Sequence, residues 1–92
     1  MPKVTVRLTG LLGSMLGGRR ELPLEAETLG AAFASIKAEL PGLAVHLFDE
    51  SGGLREHVNV FHRGRSSRWD DPDAIALADG DEILVLQAVS GG

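Results

Sequence analysis

The sequence predicts an α+β fold in which a mixed sheet of four to five strands carries one main helix on one face. Three observations predict it. Residues 3–9 alternate strictly between apolar and polar, one capped amphipathic stretch of helical spacing runs through residues 29–40, and residues 82–89 are apolar on both faces. A chain of 92 residues has room for one domain and one small core. At this size only about 60–65% of the surface of the unfolded chain is hidden, so function is expected on a loop or a terminus rather than in an enclosed cavity.

Val4, Val6 and Leu8 share one face of the first strand, with Lys3, Thr5, Arg7 and Thr9 on the other. A glycine-rich segment, 10–18, leads to a second strand, 19–25, in which Leu22 and Leu24 face inward. Pro23 lacks a ladder N–H and so points to a sheet edge. The pair reads as a hairpin whose loop residues Leu11, Leu12, Met15 and Leu16 either fold back on the core or form an apolar docking patch. This loop is no phosphate cradle, because it lacks the Gly-Lys-Ser/Thr ending and a strand follows it instead of a helix. Thr28 stands at an N-cap, Leu29, Ala32, Phe33, Ile36 and Leu40 make one apolar stripe, and Pro41-Gly42 stops the helix. Residues 43–48 are expected to add a short helical turn and 49–53 a polar loop. A third strand is expected at 57–62, a turn at 63–66, a short fourth strand at 67–69, and a helical turn at 74–78. Asp79-Gly80 then turns the chain into the last strand, 82–89, placed centrally and parallel to the first.

There is no cysteine, which excludes disulfides, thiolate metal sites and a cysteine nucleophile. A net charge of −4 and four aromatic residues (Phe33, Phe48, Phe61, Trp69) leave neither a basic footprint nor a stacking platform for nucleic acid. No apolar run approaches the roughly 20 residues of a membrane span, so the expected setting is cytoplasmic. The charges are segregated: Lys3, Arg7, Arg19 and Arg20 are the charged residues of the first twenty, while every charge after Arg68 is acidic. Two readings stand side by side, complementarity between the ends of one fold and an acidic rim that steers a basic partner. Metal binding is not expected. His57 and His62 are five apart on a strand and point to opposite faces, His46 is isolated, and the acidic run 70–82 lacks calcium-loop spacing. Arg63, Arg65 and Arg68 read as a solvated basic turn.

The C-terminal third carries a resemblance. His57-Val58-Asn59-Val60-Phe61 with Arg63-Gly64, then Ala78-Asp79-Gly80-Asp81-Glu82-Ile83, then Val89-Ser90-Gly91-Gly92 at the end of the sequence, is similar to the MoaD/ThiS sulfur-carrier family of ubiquitin-like β-grasp proteins. That family often has Asn-Gly in the turn where this chain has Arg63-Gly64. The resemblance implies a non-enzymatic carrier with no catalytic residue and no bound cofactor. Its Gly92 carboxylate would be adenylated, at the expense of ATP, by a ubiquitin-activating-like adenylyltransferase/sulfurtransferase, and converted to a thiocarboxylate. The sulfur would pass to an acceptor enzyme: a molybdopterin-synthase large subunit, in which case the chain is the small subunit, or a cysteine-synthase-like or thiazole-synthase-like protein. The same tail serves an alternative role, a ubiquitin-like modifier joined through Gly92 to lysines of other proteins.

The tail also has a physical rationale of its own. With 12 glycines, chance alone would put Gly-Gly at a given pair of positions about 2% of the time. Two residues without Cβ make a thin strand that can enter another protein's active site, and a carboxylate needs an outside activator before it becomes an acyl donor. Gly92 is thus the expected covalent position, Gly91 and Ser90 the slender approach, within a flexible tail of residues 90–92 behind a domain of residues 1–89. Val85, Leu86, Gln87 and Val89 are the expected docking residues beside it, because they cannot all be buried beneath one helix.

Overall fold

Strict alternation makes β1 (Lys3–Leu8) one-sided: Val4, Val6 and Leu8 are buried while Lys3, Thr5 and Arg7 face outward. The computed structural model describes residues 1–9, 18, 20–68 and 70–87. Among these the elements are β1, β2 (Glu21–Glu25), α1 (Leu29–Glu39), α2 (Pro41–Leu47), β3 (Val58–His62), β4 (Arg65–Ser66) and β5 (Glu82–Gln87). The strands form one mixed sheet in the order β2-β1-β5-β3-β4. β5 is central, parallel to β1 and antiparallel to β3. β2 lies at an edge, where the missing N–H of Pro23 costs no ladder bond.

Thr28 caps α1, its hydroxyl accepting from the Ala31 N–H at 3.0 Å. Leu29, Ala32 and Ile36 are buried against the sheet, with Phe33 and Leu40 half-buried at the margins of the stripe. Pro41 ends this helix, yet it also begins another. Its fixed φ and absent N–H suit a first helical turn, so α2 runs seven residues where a single turn was expected. Leu43, Ala44 and Leu47 of α2, with Phe48 behind them, extend the core beyond the one-helix stripe. The Phe33 and Phe48 rings meet edge to face at 5.2 Å between centroids.

Two short elements fall elsewhere than the sequence indicates. The fourth strand occupies Arg65–Ser66 instead of 67–69, because Arg63 (φ 55°) and Gly64 (φ 77°) complete a two-residue hairpin turn on their own. His62 therefore pairs with Arg65; Ser67 is buried, and Trp69 lies outside the described residues. In place of a helical turn at 74–78 there is a 3-10 turn at Pro72–Ala74, capped by Asp71, whose carboxylate accepts from the Asp73 N–H at 3.0 Å. Ala76 then bridges to Thr28, tying this connection to the start of α1. Among the described residues no helix is long and apolar enough to cross a membrane. The loop residues Leu11, Leu12, Met15 and Leu16 also lie outside the description.

Candidate functional site

The residues expected to carry the chemistry, Ser90, Gly91 and Gly92, lie outside the described residues, as does Val89. The structure describes the strand that leads to them. β5 enters the sheet through a dense set of bonds. Asp79 accepts from the Lys3 N–H at 2.8 Å, the Gly80 N–H donates to the Lys3 carbonyl at 2.8 Å, and the Thr5 N–H donates to the Asp81 carbonyl at 3.0 Å. Gly80 holds φ +89°, a left-handed conformation that suits glycine.

Asp81 is the hub of this entry point. Its carboxylate accepts from His62 Nε2 at 2.8 Å, from the Ala78 N–H at 2.9 Å and from Arg63 at 3.3 and 3.4 Å. The His62 bond first, then the Ala78 N–H and the Arg63 charge, hold its pKa below the ordinary 3.8 against the opposing effect of burial. His62 is only 8% exposed and is committed to this bond, whereas His57 precedes β3 and is exposed. The basic turn is likewise engaged in the fold. Arg65 reaches Asp70 at 3.5 Å, and Arg68 donates to the carbonyls of Arg55 and Val58.

At its far end β5 is paired with β1 as far as Leu8↔Val85 and with β3 as far as Val58↔Gln87, and the Thr9 hydroxyl donates to the Val85 carbonyl at 3.0 Å. The two faces of the strand differ. Ile83 and Val85 turn to the helices, each 1% exposed, so Val85 is removed from the expected docking set by its burial. Leu84 and Leu86 turn outward and are half-buried, and Gln87 is half-buried. Leu84 pairs with Phe61 of β3, and Leu86 with Asn59. The outer face of the sheet thus carries an apolar patch of Phe61, Leu84 and Leu86 beside the root of the tail. A shallow depression of about 380 Å³ adjoins it, lined by Phe61, Arg63, Gly80, Asp81, Glu82 and Leu84. On the other flank Arg7 is held between Glu21 and Glu82, each at 3.1 Å. That bridge joins the basic start of the chain to its acidic end, as internal complementarity predicts.

Phe61 and Leu84 are not among the residues singled out from the sequence. Alternation in β3 would have found Phe61, since Val58 and Val60 share the other face, whereas Leu84 is outward only by the pairing that buries Ile83 and Val85.

The model of the ThiS family matches residues 6–92. Sulfur carrier protein CysO of Mycobacterium tuberculosis is 34% identical over 91 residues, covering 97% of this chain and 98% of that protein. Its crystal structure superposes with a TM-score of 0.78 at 33% identity, covering 94% of this chain and 99% of that one. Small archaeal modifier protein 3 of Haloferax volcanii is 43% identical over 65 residues, 71% of this chain and 70% of that protein. A chain in the crystal structure of the Amycolatopsis orientalis BexX/CysO complex matches with a TM-score of 0.79 at 25% identity, covering 97% of this chain and 99% of that one. The fold is the ubiquitin-like β-grasp.

Proposed function

This chain belongs to the ThiS family, and from that premise we propose that it carries sulfur as a thiocarboxylate on Gly92. In kind it is a ubiquitin-like carrier protein and not an enzyme, as its relatives named as carriers and modifiers are. In the proposed cycle a Gly92 carboxylate oxygen attacks the α-phosphorus of ATP on a ubiquitin-activating-like enzyme and pyrophosphate leaves. A sulfur nucleophile then displaces AMP from the acyl-adenylate. The chain binds no cofactor of its own, and with no cysteine in it no thiol competes with the terminus for the activated acyl group. Gly91 and Ser90 form the approach, and the outer-face patch of Phe61, Leu84 and Leu86 is the docking face.

The observation that carries this reading is similarity over nearly the whole chain to a sulfur carrier, in a family match that reaches Gly92. We take a cysteine-synthase-like protein as the acceptor, with the likeness to CysO in support, and keep molybdopterin-type and thiazole-type acceptors as alternatives; the proposed setting is cytoplasmic. The test is ATP–pyrophosphate exchange by a ubiquitin-activating-like adenylyltransferase of the same organism. Exchange is expected with the full chain and is expected to vanish on deletion of residues 91–92 with Tm unchanged; exchange that survives the deletion would overturn the proposal.

A second reading, conjugation through Gly92 to lysines of other proteins, has its own support in the 43% identity to a small archaeal modifier. Both roles share the adenylate. They part at the nucleophile that displaces AMP, sulfur in one case and an amine in the other.

A further inference from the structure

Conjugation by amine attack raises the question of which amine on this chain a second copy would use. The sequence contains two lysines, Lys3 and Lys37. Both residues are exposed, but their ammonium groups are held differently. Lys37 Nζ donates to the Gly52 carbonyl at 2.8 Å and sits 4.5 Å from the centroid of the Phe48 ring. Both contacts occupy the nitrogen and must be given up before it can attack an acyl group. Phe48 is buried and Gly52 belongs to a turn closed by the bond from the Gly52 N–H to the Asp49 carbonyl, so the cradle is fixed by the fold. Lys3 is the opposite case. Its backbone is anchored on both sides, by Asp79 at its N–H and by Gly80 at its carbonyl, while its ammonium has no partner among the described residues.

Position reinforces the contrast. β1 and β5 are parallel, with Leu8 beside Val85, so Lys3 stands at the end of the sheet opposite to Gln87. Seven residues of strand separate the two levels, about 23 Å at 3.3 Å per residue. A bond from Gly92 of one copy to Lys3 of another therefore joins them through opposite ends of the sheet, head to tail.

We infer that Lys3, and not Lys37, is the lysine through which copies of this chain are joined to one another. The inference rests on the modifier reading. In the step itself the Lys3 amine attacks the carbonyl carbon of the Gly92 acyl-adenylate of another copy. A C–N bond forms, the C–O bond to phosphate breaks with AMP leaving, and the amine proton passes to water.

The test isolates the untagged chain from the cells that make it by antibody under denaturing conditions, digests all captured species with trypsin and maps branched peptides. Because no Lys or Arg follows Arg68, a linked copy leaves residues 69–92 attached, on the 1–7 peptide for Lys3 and on the 21–55 peptide for Lys37. The expected result is an excess of at least about tenfold of the Lys3 branch, the ratio set by the two contacts Lys37 must break. On a denaturing gel of the same captured material, Lys3→Arg is expected to remove the band at the mass of two linked copies and Lys37→Arg to leave it. Gly92 adducts on other proteins with none on Lys3, or with Lys37 or the Met1 amine favoured, would overturn this inference and leave the modifier reading intact. A complete lack of Gly92-linked amines would overturn both.

Discussion

The two faces of β5 use similar side chains for different ends. Ile83 and Val85 lie among the helices at 1% exposure, while Leu84 and Leu86, one residue along, are half-buried on the outer face. Had the strand been apolar only to fill a core, the outer positions would carry the polar residues found on β1, where Lys3, Thr5 and Arg7 face the same way. β5 therefore buries one face in the core, and under the proposed function the other is kept for docking. On that reading a central strand that is apolar on both sides marks a docking surface as much as burial.

The contrast breaks first on truncation of each face. Ile83→Ala is expected to cost about 2–5 kcal/mol of stability, the range for deleting a buried branched side chain, read from denaturant unfolding. Leu84→Ala and Leu86→Ala are expected to cost less than about 1 kcal/mol while slowing pyrophosphate exchange about tenfold or more, as anchors of an interface do. Equal stability losses from both faces, with exchange untouched, would erase the distinction.

Next in size is the entry to the strand. Asp81→Ala leaves the buried His62 and the Ala78 N–H without their acceptor and is expected to cost about 1–3 kcal/mol. The pKa of Asp81 is lowered by folding, so its contribution is fully present above the unfolded carboxylate value and is lost as pH falls through the lower, folded one. Asp81→Asn is accordingly expected to flatten the acid limb of the stability curve below about pH 4 and to leave its shape above pH 5 unchanged. The turns give smaller effects. Gly80→Ala, at φ +89°, is expected to cost about 1 kcal/mol, and Arg63→Asn, which tolerates the left-handed position better, to change stability by less than about 0.5 kcal/mol.

Much of this architecture was legible in the sequence because local patterns set it. Alternation placed β1, Pro23 marked an edge, Thr28 and Pro41 bounded α1, and the doubly apolar run put β5 at the centre. What was not legible depended on register and competition. Pro41 ends one helix and begins the next, which its helix-breaking reputation conceals. Arg63-Gly64 closes the hairpin two residues earlier than the strand pattern suggests, because arginine in a left-handed position carries no strong sequence signal. Val85 could be assigned to a face only once the pairing Val60↔Val85 fixed its parity. Asp81 could be read as part of a turn, but its bond to His62 joins residues 19 apart and follows only from the sheet.

All of these contrasts serve a claim about a single atom, the oxygen of the Gly92 carboxylate that sulfur replaces. The most direct test is top-down mass spectrometry of the full chain after incubation with its activating enzyme, ATP and a sulfur donor. The account predicts a mass gain equal to one oxygen-to-sulfur exchange, localised to Gly92 by fragmentation and absent without ATP. An unchanged Gly92 in a reaction that consumes ATP and releases AMP would contradict it.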